Sequence, residues 1–191
     1  MHCQTDDNYQ SKIRNLADYK LLHTLHRMNK LKISVLSKRD SSKLIEIIKR
    51  KWPQDILVRV TSFKVYEIEV GKRILKSENF TAVQINEDII LPFLGEPENI
   101  KHFPHVVVDM GAVKFVCNGA KIMRPGITKF ETFKKGDIVI VKDQTYCKTL
   151  AAGVAIEDSE IAAASSKGYV IDNLHYISDK FWEAHKEISA F

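Results

Sequence analysis

From Leu31 onward the chain is a succession of short hydrophobic patterns separated by turn residues. Leu31, Ile33 and Val35 alternate with Lys32 and Ser34, the period of a half-buried strand. Asp40 or Ser41 then offers an N-cap for a helix whose Leu44, Ile45, Ile48 and Trp52 share one face, and Pro53 stops it. Tyr66, Ile68 and Val70 alternate with Glu67 and Glu69, Gly71-Lys72 supplies a hairpin turn, and Thr81, Val83 and Ile85 resume the alternation. Residues 56–93 are therefore expected to form an antiparallel sheet. Glu96-Pro97-Glu98-Asn99 is polar, proline-punctuated chain, and a linker is expected over 96–103.

The second half repeats the alternation of strands and turns with one short helix near its start. Val106-Val107-Val108 reads as a buried strand, and Asp109 as the N-cap of a helix with Val113, Val116 and Cys117 on its inner face. Gly119 stands where that helix ends. Ala120 to Arg124 returns as a strand, and Pro125-Gly126 fits the two central positions of a type II turn. Further strands are expected at 137–142, 148–156 and 169–176, with a small-residue turn or helix near 161–165. Asp179 can cap a last helix carrying Phe181 and Trp182. The fold class is thus α+β: a small αβ domain over 28–95, the linker, a second domain of mainly antiparallel strands and short helices over 104–183, and a tail at 184–191. Residues 1–27 stand apart, with Ile13, Leu16, Tyr19 and Leu22 at helical spacing. Two readings stand for them: a stretch upstream of a native start at Met28, or an amphipathic helix docked on the body.

Composition narrows the class of protein. At 191 residues, 45% hydrophobic and 28% charged, the chain can bury a core and is neither disordered nor fibrous in type. No apolar run approaches the roughly 18 residues of a membrane span, so no membrane partner is expected. The net charge of +5 is unevenly distributed. Residues 1–51 carry 12 basic and 5 acidic side chains, and the remainder 17 and 19. The positive excess lies in the first quarter, as a surface facing phosphate would require, although a solvated helix face explains it equally well. Lys38, Arg39, Lys43, Lys49, Arg50 and Lys51 cluster at the two ends of the first helix. The last three also suit its dipole.

Candidate chemistry is sparse. Cys3, Cys117 and Cys147 are widely spaced without a CxxC, so neither a disulfide framework nor a zinc site is expected, and a reducing cytoplasm fits. His23 and His26 lack neighbouring ligands at metal spacing. The common nucleotide, dinucleotide, serine-hydrolase and zinc-protease motifs do not occur, so no cofactor, metal or catalytic residue is assigned.

Two segments carry a family resemblance. Val108-Asp109-Met110-Gly111-Ala112-Val113-Lys114-Phe115, followed by Asn118-Gly119-Ala120-Lys121-Ile122-Met123-Arg124-Pro125-Gly126-Ile127, resembles the signature of the PUA domain. The ending Ile171-Asp172-Asn173-Leu174-His175-Tyr176-Ile177-Ser178-Asp179, then Phe181-Trp182, is similar to the close of that domain in the malignant T-cell-amplified-sequence and ligatin-type translation factors. The resemblance implies a partly open pseudo-barrel preceded by a smaller pre-PUA domain. It also implies an RNA-binding protein of translation initiation, reinitiation or ribosome recycling, with tRNA or small-subunit rRNA and an initiation-factor-like protein as partners. The competing reading is an RNA-recognition accessory subunit of a modifying enzyme. Carried over residue by residue, the RNA-binding stretch is Lys114, Asn118, Gly119, Ala120, Lys121, Arg124, Pro125 and Gly126. Small residues at 119 and 120 would leave main chain open to a nucleotide, while Lys121 and Arg124 would reach phosphates. Structural roles compete at each position: Gly119 as a helix cap, Pro125-Gly126 as a turn. His175 and Tyr176 are either base-stacking platforms or barrel core.

Overall fold

The computed structural model describes residues 32–54, 56, 60–78 and 80–189. The expectations for 1–27 lie outside them. Two sheets organise the chain. The first has strands β1 (Lys32–Val35), β2 (Lys64–Glu69), β3 (Lys72–Ser77), β4 (Phe80–Gln84) and β5 (Ile90–Pro92), in that order and antiparallel throughout. Helix α1 (Lys38–Lys51) covers one face with Ser41, Leu44 and Ile48, residues three and four apart as an amphipathic helix requires. It starts earlier than the sequence suggests. Ser37, not Asp40 or Ser41, is the N-cap, and its hydroxyl accepts the Asp40 N–H at 3.1 Å. Ser41 is instead fully buried, its hydroxyl accepting from the Phe63 N–H. At the other end the Trp52 indole donates to the Ile90 carbonyl at 2.8 Å.

The second sheet comprises β6 (His105–Val108), β7 (Ile122–Met123), β8 (Ile127–Phe130), β9 (Ile138–Asp143), β10 (Thr149–Ala155) and β11 (Tyr169–Tyr176), ordered β7-β11-β10-β9-β6-β8. Only β6 and β9 run parallel; the other pairs are antiparallel, as expected of a PUA pseudo-barrel. Helices α3 (Met110–Val116) and α4 (Ser159–Ala164) accompany it. Val106, Val108, Val139, Val141, Ala151 and Ile171 fill its interior.

The two halves share a core. Ile138, Ile140 and Ala152, on the outer face of the second sheet, pack with Ile74, Leu75, Val83 and Leu91 of the first. The expected linker contains helix α2 (Pro97–Ile100), with Ile100 and Phe103 buried in that shared core. Within the expected tail, helix α5 (Lys180–Ser189) extends to Ser189, and Phe181, Ala184 and Ile188 are buried beside Phe93 and Leu94. A period of 3.6 in Phe181, Ala184 and Ile188 was its signature.

A buried polar latch lies at the junction. His175 is wholly inaccessible; its Nε2 accepts the Leu94 N–H at 3.3 Å, and its Nδ1 lies 2.6 Å from Asp179 Oδ2. With Nε2 accepting, the proton sits on Nδ1 and is donated to the carboxylate. Phe93 stacks on the imidazole at 5.6 Å. His175 is therefore core, and no base can stack on it.

Candidate nucleic-acid interface

The site begins with a helix too short to stand alone. Asp109 caps α3 by accepting the Ala112 N–H at 2.8 Å, and Gly119, at φ +82°, turns the chain out of the helix. The bend is internally satisfied: Asn118 and Ala120 donate to the Phe115 carbonyl and Gly119 to that of Val116. From β11, the Asn173 amide donates to the carbonyls of Val116 and Ala120 at 2.9 and 3.1 Å.

This geometry revises the open-backbone expectation at Gly119. A Cβ there would stand 2.8 Å from Cε1 of Tyr176, so the empty side of the glycine is filled by the protein's own ring. Tyr176 is thereby engaged in packing. Pro125-Gly126 also differs from expectation: Arg124–Gly126 is a 3-10 turn, and Gly126 is not among the positive-φ glycines, so no type II turn forms. Gly126 is small because α3 lies against it; a Cβ would stand 3.1 Å from that of Ala112.

Arg124, expected to reach phosphate, is held by main-chain acceptors. Its guanidinium donates to the carbonyls of Ile127 at 3.1 Å and Ala163 at 3.3 Å, and lies 5.2 Å from the centre of the Phe130 ring. Lys121 is exposed and pairs with Asp172 at 3.3 Å, while Lys114 and Asn118 are exposed on α3 and the bend.

Between α3, β7 and the 3-10 turn runs an apolar groove of about 520 Å³. Ala120, Lys121, Pro125 and Gly126 of the expected stretch line it; Lys114, Asn118, Gly119 and Arg124 do not. Its apolar walls are Phe115, Ile122 and Met123, none of them among the residues expected from the sequence to bind RNA. Phe115 is 64% and Met123 48% exposed, and Met110, Ile161 and Tyr169 add further exposed apolar surface among the described residues. Tyr169 is the cross-strand partner of Met123. Such surface is unusual on a protein without a ligand or partner. Met110 and Phe115, apolar residues outside the Val113-Val116 face of the short helix, were the available hint.

The basic residues of α1, Lys38, Arg39, Lys43, Lys49, Arg50 and Lys51, are all exposed, but on the first sheet's side of the molecule. Lys43 is paired with Asp40 at 3.5 Å. Cys117, expected on the buried face, is only partly buried, and desolvation pushes its thiol above the usual range. Among the described residues no three His, Cys, Asp or Glu side chains are placed to hold a metal, and no helix is long and apolar enough to cross a membrane.

Residues 104–177 match the family model of the PUA domain. Around that domain the chain is similar to an uncharacterized protein, MJ1432, of Methanocaldococcus jannaschii, with 44% identity over 78 residues, 40% of this chain and 48% of that one. It is also similar to translation machinery-associated protein 20 of Saccharomyces cerevisiae, 34% identical over 87 residues, 42% of this chain and 48% of that one. Human malignant T-cell-amplified sequence 2 is 39% identical over 83 residues, 41% of this chain and 46% of that one. Each match spans about half the length of these relatives. Over both halves the fold matches the crystal structure of hypothetical protein PH0734.1 from Pyrococcus horikoshii OT3, with a TM-score of 0.68 and 28% identity over 80% of this chain and 99% of that one.

Proposed function

We propose that this chain is an RNA-binding, translation-associated protein that acts by binding rather than catalysis, in the cytoplasm. The observation that carries the reading is the apolar groove beside α3 in a PUA domain. Its aromatic and methionine walls suit the face of an unpaired base, and Lys121 and Lys114 stand exposed near it for the adjoining phosphates. The translation-machinery names of the relatives support the setting. In this reading the unpaired end of tRNA enters the groove, the basic surface of α1 contacts ribosomal RNA, and an initiation-factor-like protein completes the assembly.

The test is filter binding of tRNA with and without its 3′ end at two salt concentrations. The 3′-truncated RNA should bind more weakly, and affinity should fall steeply with salt because each phosphate contact releases counterions. Equal, salt-insensitive affinity for both RNAs refutes the reading.

A further inference from the structure

The hairpin between β9 and β10 carries features that folding alone does not require. Asp143 is buried, and its carboxylate accepts three backbone N–H groups: Thr145 at 2.9 Å and Tyr146 at 2.6 Å on Oδ1, and Lys148 at 2.8 Å on Oδ2. Those donors, the Tyr146 amide first, hold the carboxyl below the usual carboxylate range. Gln144 also donates to Val108, tying the hairpin to the end of β6. The tip is therefore fixed, even to Cys147 at φ +53°, and what it presents is Tyr146, 69% exposed. The ring and hydroxyl of Tyr146 have no ring contact or hydrogen bond among the described residues.

Lys142 and Lys148 flank this tip along the hairpin, and Lys129 lies two strands across from Lys142. Register places Lys129 opposite Val107, Val107 opposite Lys142, and Lys142 opposite Thr149. Lys129 and Lys142 thus share one row on the outer face of the sheet, about 10 Å apart across two strand spacings. Lys148 leaves the tip itself. None of the three forms an ion pair among the described residues, and the neighbouring carboxylates are occupied. Glu131 pairs with His105 at 2.7 Å, Asp109 caps α3, and Asp143 is turned into its own loop.

We propose that this hairpin is a second RNA contact, in which Tyr146 stacks on an unpaired base while Lys129, Lys142 and Lys148 hold the flanking phosphates. It rests on the RNA-binding reading above and adds a site outside the groove. With the backbone of the tip already fixed, only the side-chain torsions of Tyr146 remain to be ordered when a base settles on the ring, and every base offers a π-face.

The experiment is fluorescence anisotropy of the full chain with a labelled unpaired oligoribonucleotide and with the duplex of the same sequence. Tyr146→Ala is expected to weaken binding of the unpaired probe by about 5- to 100-fold, and Tyr146→Phe by less than about twofold. Lys142→Gln should lower the salt slope by about 0.7, whereas Tyr146→Ala leaves it unchanged. Phe115→Ala, in the groove, is the comparison. If Phe115→Ala weakens binding and Tyr146→Ala does not, the second contact is overturned and the groove reading stands. Equal losses on duplex and unpaired probes also overturn it, because stacking needs a free base. A wild-type chain that binds neither probe overturns both.

Discussion

Gly119→Ala separates backbone handedness from packing at one atom. Gly119 sits at φ +82°, a region that costs an L-residue with a side chain about 1–2 kcal/mol. The added methyl would also stand 2.8 Å from Cε1 and 3.0 Å from Cζ of Tyr176, atoms within a ring that cannot bend aside. Overpacking of this kind costs about 1–3 kcal/mol, so the expected loss is about 3 kcal/mol, or about 6–12 °C in Tm for a chain of this size. Gly136→Ala is the control: its φ is +88°, and a Cβ there meets nothing within 4 Å, so only the backbone cost of about 1–2 kcal/mol applies. Urea unfolding followed by tryptophan fluorescence measures both. In a Tyr176→Ala background the loss at Gly119 should drop to that at Gly136, because the ring is gone. Equal losses at the two glycines in the wild-type background would refute the claim that Tyr176 occupies the empty side of Gly119.

Three further outcomes follow from the junction and the site. His185 packs on Phe93 with ring centres 4.0 Å apart, and burial, then Lys76 and His175, pushes its pKa below the usual histidine range. Protonation is thus harder folded than unfolded, so its contribution is present above about pH 6.5 and is lost as pH falls through the lower folded value. Thermal melts should show that acid-side loss in the wild type and less of it in His185→Gln. Asp179→Ala removes the acceptor for His175, for the Tyr176 N–H at 3.0 Å and for the Trp182 N–H at 2.7 Å, and should cost about 3 kcal/mol by denaturant unfolding. Arg124→Ala should lower stability by about 2 kcal/mol, whereas Lys121→Ala, which breaks one exposed pair, should change it by less than about 0.5 kcal/mol while still weakening RNA binding.

What was legible in the sequence was what local chemistry dictates. β11 spans Tyr169–Tyr176, the range the alternation predicts, and Asp109 caps α3 as its position before a helical pattern requires. Gly119 adopts the positive φ that a residue closing a helix needs. What was not legible depends on partners far along the chain. Arg124 and Lys121 are both basic residues of one short segment; Arg124 is held by the carbonyls of Ile127 and of Ala163, the latter 39 positions away, whereas Lys121 pairs with Asp172 on another strand. His175 looks like an aromatic platform until Leu94, 81 positions upstream, donates to it. The groove escaped for a further reason: exposure of Phe115 and Met123 breaks the rule that apolar residues are buried, and such breaks concentrate at functional surfaces.

The continuous core gives the proposed α1 surface and the PUA groove a fixed relation. Residues 96–103 are anchored in the core by Ile100 and Phe103, α5 crosses from the second sheet onto the first, and Asp179 at its start is hydrogen-bonded to the same histidine that Leu94 reaches. Lys180 reinforces this by pairing with Glu69 on the first sheet. An RNA spanning α1 and the PUA groove would therefore meet a preorganised body, and its second contact would form without the cost of ordering two domains against each other. Loosening the junction should weaken a long RNA that spans both surfaces more than a short one that fills the groove alone. Asp179→Ala therefore tests the architecture as well as the latch: after correction for the folded fraction, equal losses on long and short RNAs would mean that the two surfaces act independently.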